Sequence, residues 1–102
     1  MTEFYDALET RSPEAREAAH MAALPAQVAH AQQHAPAFAQ ILAGVDARAI
    51  TSRAALAQLP VTRKSELHAR QQAARAAGGD AFGGFATVGW GAELSHVFAS
   101  PG

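Results

Sequence analysis

A chain of 102 residues forms one domain or a piece of one, because separate cores usually need about 100–200 residues each. Its 49% hydrophobic content is dominated by 27 alanines, so little large apolar surface is available for burial. A net charge of −1, with seven scattered arginines and one lysine, offers no clustered basic face for nucleic acid, and the lack of cysteine excludes disulfides and thiolate chemistry.

In chain order, "TEFYDALE" predicts a short first helix capped by Thr2, with Phe4, Tyr5 and Leu8 as its apolar residues. The stretch beginning "RSPEAREAAH" predicts a long helix. Ser12 is the cap, Pro13 occupies the first turn, and Glu14 complements the positive end of the dipole. Met21, Leu24, Val28 and Ala31 fall on one face of it. Pro25 lies inside that stripe and is expected to kink or split the helix near Leu24, since it forfeits a backbone bond and crowds the preceding turn.

Pro36 restarts the chain, and Phe38, Ile41 and Leu42 give a short amphipathic turn that stops at Gly44. A further helix is predicted from about Ser52 to Gln58, ended by Pro60. Thr62 is then expected to cap a helix running to about Ala77, where "AGGD" terminates it. The glycine- and aromatic-rich "GGDAFGGFATVGWG" has no helical period and reads as a loop or loose turns, a flexible connector rather than a phosphate cradle. "ELSHVFAS" reads as a strand whose Val97 and Phe98 face opposite sides, so that both sides are buried. No partner strand is legible upstream. The expected fold is therefore mainly α: a short helical bundle (1–78), then a Gly-rich loop and one C-terminal strand (79–102) belonging to a larger α/β body.

Few residues offer chemistry. His30 and His34, at i and i+4, share a helical face and could grip a metal, but they lie away from the apolar stripe and no carboxylate supports them. The carboxylates Glu14, Glu17, Glu66, Asp80 and Glu93 show no paired spacing for acid–base work. Ser65 and His68 lack an orienting acid and read as surface. In "GGDAFGGFA" the order helix, glycines, strand is the reverse of a phosphate-binding loop. The small-residue end "FASPG" lies where a loop following a buried strand commonly contacts phosphate. The acidic start lacks the basic residues and apolar run of a signal peptide, and no stretch approaches the ~20 apolar residues that span a bilayer, so a cytoplasmic protein is expected.

Taken in order, "YDALETR", "LPAQVAHAQQHAPAF", "LAGVDARAITSRAALAQLPVTRKSEL", "FGGFA" and "HVFASPG" resemble the N-terminal region of phenylacetate–CoA ligases, which are adenylate-forming acyl/aryl-CoA synthetases. The family's "L-x-x-L-P-F-T-T-K-x-D-L-R" is met here by Leu56, Leu59, Pro60, Val61, Thr62, Arg63, Lys64, Ser65, Glu66 and Leu67. The family's phosphate loop "A-S-S-G-T-T-G" is reached only at Ala99, Ser100, Pro101 and Gly102, with Pro101 where the family has Ser. The resemblance implies ATP-dependent activation of an aromatic carboxylate to an acyl-adenylate, then thioester formation with coenzyme A, using ATP, Mg and CoA. It places Ser100 and Gly102 at the start of the nucleotide phosphate loop and implies no catalytic residue and no metal ligand in this chain. The family's catalytic lysine lies beyond residue 102, and Lys64 does not match it. The implied partner is the remainder of the enzyme. The alternative is an independent helical interaction module, such as a homodimer, without nucleic acid or membrane partners.

Overall fold

The computed structural model describes residues 3–101, and four α-helices make up most of its regular structure: α1 Pro13–His34, α2 Pro36–Ile41, α3 Arg53–Ala57 and α4 Lys64–Ala76. Short 3-10 turns cover Ala7–Thr10 and Ala47–Ala49. No strand occurs among the described residues.

The start departs from expectation. The predicted cap Thr2 lies outside the described residues, and in place of a helix over "TEFYDALE" there is one 3-10 turn, Ala7–Thr10. Asp6 caps it, its carboxylate accepting from the Leu8 N–H at 2.9 Å. Phe4, Tyr5 and Leu8 are all exposed, so no packing extends the turn into a helix.

α1 begins as its sequence dictates, with Ser12 Oγ accepting from the Ala15 N–H at 3.1 Å. Pro25 does not split it. One continuous helix of 22 residues runs through the proline. Losing one backbone bond at Pro25 is tolerated because the stripe on both sides is anchored: Val28 is buried, and Leu24 and Ala31 pack against the same cluster.

That cluster is the core. Val28 of α1 meets Leu42, just past α2, and Ala47 and Ile50 of the following turn, with Phe38, Ile41, Val45 and Leu59 around them. α1 packs against α2 and against the Ala47–Ala49 turn. The reversal between them needs a left-handed residue, which Gly44 supplies at φ +81°. Gln32 of α1 reaches across it: its Nε2 donates to the carbonyls of Leu42 (3.1 Å), which also accepts from the Val45 N–H, and of Val45 (2.9 Å), tying the reversal to α1. Ser52 caps α3 by accepting from the Ala55 N–H at 3.1 Å.

Beyond α3 the character changes. α4 buries none of its residues. Its N-cap is Arg63, with no side-chain bond, so Thr62 does not perform the capping predicted for it. Its end is a Schellman closure: the Gly79 N–H donates to the Ala74 carbonyl and the Gly78 N–H to the Arg75 carbonyl, with Gly78 at φ +72°.

The molecule leaves much of itself uncovered. It exposes 7825 Å², where a folded chain of its mass exposes about 5,500 Å². Its radius of gyration is 17.0 Å, against about 13 Å for a compact domain of this length.

Candidate functional site

Three places in this fold gather the features that a site needs: a groove on the core, the glycine-rich segment, and the extended C-terminus. The groove, of about 230 Å³, opens where α1 and α2 meet the segment after α3. Val28, Phe38, Ile41, Leu42 and Leu59 make its walls, and Gln27 and Thr62 are polar residues lining it. No ionisable side chain lines it. Such a surface holds apolar groups by burial and has no means of moving a proton.

The glycine-rich segment is a run of hydrogen-bonded turns. Asp80 builds its turn: Oδ1 accepts from the Phe82 N–H at 2.9 Å, Oδ2 from the Gly84 N–H at 3.1 Å, and the backbone carbonyl from the Gly83 N–H at 2.9 Å. The turn is tied to α2, whose Ala37 N–H donates to the Gly84 carbonyl at 2.9 Å. It is tied to α4 as well, through Gln71 Nε2 donating to the Ala81 carbonyl at 3.0 Å. Phe85 meets Phe38 edge-on at 5.6 Å, and Phe82 stacks on Trp90 at 5.5 Å. The sequence carried a signal for this: an Asp followed within four residues by a Gly pair is a turn with a mechanism, since Asp side chains bond backbone N–H groups two residues on.

The C-terminal segment is extended without a ladder. Residues 96–101 have neither helix nor strand pairing, and Val97 and Phe98 are 52% and 86% exposed. A strand requires a paired neighbouring strand about 4.8 Å away; no strand occurs among the described residues, and the expected two-sided burial is not found. His96 and Phe98 share one side, their rings stacked at 5.9 Å. Ser100 sits at the exposed end of this segment, and Gly102 lies outside the described residues. Trp90, Leu94, His96 and Val97 border a second hollow of about 300 Å³.

The remaining candidates stay apart. His30 and His34 are exposed, as their position off the apolar stripe predicts, with ring centroids 4.6 Å apart. Among the described residues no group of three His, Cys, Asp or Glu side chains converges to hold a metal. Ser65 and His68 lie on the exposed side of α4. Lys64 is the first residue of α4, beside the Arg63 cap, where a cation opposes the helix dipole.

The pairing that spacing did not reveal is Glu17 with Arg53, 36 positions apart. Arg53 Nε and Nη2 donate to Glu17 Oε1 and Oε2 at 2.5 and 2.6 Å, a bidentate fork joining α1 to α3. The bonds from Arg53 hold the Glu17 carboxyl below its ordinary value of 4.5, and the same bonds raise the guanidinium.

No helix among the described residues is long and apolar enough to cross a membrane. Comparison with family models, with curated proteins and with solved structures finds no match.

Proposed function

We propose that this chain is the helical N-terminal portion of a phenylacetate–CoA-ligase-like adenylate-forming enzyme, inactive by itself. The ordered set of resembling segments motivates the reading. The observation that supports it best is the extended 96–101 segment, whose exposed Val97 and Phe98 suit a strand awaiting a sheet. The uncovered area points the same way: an excess of roughly 2,300 Å² over a self-contained chain is several times the ~800 Å² that one side of a standard interface buries.

In this reading the whole enzyme activates an aromatic carboxylate with ATP and Mg and passes the acyl group to CoA. This chain contributes the helical approach to the phosphate loop, with Ser100 and Gly102 at that loop's start. The helices supply no acid, base or nucleophile. Lys64, exposed at a helix start where it is electrostatically disfavoured, contacts an acidic group of the larger body.

The test has two parts. Continuation of the native reading frame past Gly102 into a Ser/Thr/Gly-rich loop is expected, and a stop codon there overturns the proposal. The 102-residue chain alone is expected to consume no ATP with phenylacetate and CoA, and turnover above background overturns its assignment as an inactive part.

A second reading, an independent helical module that pairs with a copy of itself, is favoured by a different surface. Phe4, Tyr5 and Leu8 are exposed together at the N-terminal end. Sedimentation of the 102-residue chain separates the two: a stable dimer weakened by Tyr5→Ser supports the module, and a monomer at all concentrations removes it.

A further inference from the structure

α4 is attached to the rest of the molecule in an unusual way. It buries none of its own residues. Its partly buried positions, Leu67, Gln71 and Ala74, lie on one face at i, i+4 and i+7. What meets that face is the backbone of the glycine-rich segment: a Cβ on Gly83 would stand 2.7 Å from the Gln71 Cα. On its other side the same segment meets α2, where a Cβ on Gly84 would stand 2.9 Å from the Ala37 nitrogen. Both glycines have positive φ, +68° and +83°, so conformation and space each demand glycine. The segment is thus wedged between two helices, bonded to α4 through Ala81 and to α2 through Gly84. α4 also reaches α2 directly, Arg70 Nη1 donating to Gln40 Oε1 at 3.2 Å on an exposed face.

The chain entering α4 is correspondingly bare. Residues 60–63 are exposed, Val61 by 82%, and no side chain caps the helix they lead into.

We infer that segment 79–86 is a latch, closed in this structure, and that α4 is an arm that swings about residues 60–63 when it opens. Asp80 is the spring of the latch: its carboxylate, by accepting from Phe82 and Gly84, sets the turn that presents Gly83 and Gly84 to the two helices. Opening breaks local bonds and one aromatic contact and uncovers Ala37 of α2, which lies against Gly84, but leaves the main cluster intact, because none of Val28, Leu42, Ala47 and Ile50 belongs to α4 or to the latch. The C-terminal segment moves with the arm, since Phe82 of the latch stacks on Trp90 at its base. The inference does not depend on the enzyme family proposed above.

Two measurements on the intact 102-residue chain test it. Backbone amide exchange reads the latch itself. The Ala37 N–H belongs to the first turn of α2, where no intrahelical acceptor exists, so its protection reports the bond to Gly84. In the wild type it exchanges slowly; in Gly84→Ala and in Asp80→Ala that protection is lost, while α1 amides around Val28 keep theirs. Spin labels on Ala23→Cys and Ala69→Cys, introduced into a chain free of native cysteine, read the arm. One narrow distance distribution is expected in the wild-type background and a broad one in both latch variants. Asp80→Ala adds no bulk and decides the matter if Gly84→Ala does not fold. A freely exchanging Ala37 amide in the wild type overturns the inference. An unchanged distance distribution in Asp80→Ala overturns it too, as does loss of α1 protection in that variant.

Discussion

The two halves of this molecule are held by different physics. From Pro13 to Leu59 the chain folds on side chains: Val28, Leu42, Ala47 and Ile50 are buried together, and the helices are stitched by caps. Among the described residues from Pro60 onward only Gly84 is buried, and order comes from backbone bonds made around two glycines and one aspartate. The first kind of order resists loss of one bond and fails on loss of volume. The second fails when a single methyl group is added.

The largest expected effect therefore lies in the first half. Leu42→Ala removes a large side chain from a core with few others, at a cost of about 2–5 kcal/mol, which approaches the whole stability of a small domain. Urea denaturation should show α1 and α2 lost together. Next comes a pair that separates conformation from space. Gly44→Ala meets nothing within 4 Å but keeps a positive φ, so it should lose about 1–2 kcal/mol and remain folded. Gly84→Ala carries the same conformational cost plus a collision with Ala37. If thermal unfolding and amide exchange rank the two equally, the close approach at Gly84 carries no energy, and the contrast between the halves falls.

Ser12→Ala should cost about 1 kcal/mol by removing the bond to the Ala15 N–H, lowering Tm by a few degrees without altering the C-terminal half. The smallest effect is at the Glu17–Arg53 fork, whose side chains are 40% and 76% exposed. Because the folded Glu17 carboxyl is held below 4.5, its contribution is present above that value and fades as pH falls through the lowered folded one. An NMR titration should find Glu17 returned to the ordinary carboxylate range in Arg53→Gln.

The same division explains what sequence reading recovered. Features encoded within a few residues were legible: the Ser12 cap, the helix start near Ser52, the Val28 stripe, the stop at Gly44 and the solvent-facing His30 and His34. Features decided by distant neighbours were not. Of the kink or split that Pro25 predicts, the split does not occur, because Leu24 and Val28 on either side of it pack on one cluster. Thr62 had the right chemistry for a cap, yet the chain enters the helix one residue later. "GGDAFGG" looked flexible because glycine permits many conformations, and only its approach to Gln71 and Ala37 selects one of them. The C-terminal segment has the composition of a strand, but a strand is a relation between two chains, and composition describes one.

Lys64, the single lysine, sits exposed at the boundary between the two halves. A lysine-specific endoprotease therefore has one place to cut, and the cut leaves the core in one peptide and the arm, latch and C-terminal segment in the other. Whether the two peptides elute together from a sizing column after that single nick weighs the latch against the covalent chain it replaces.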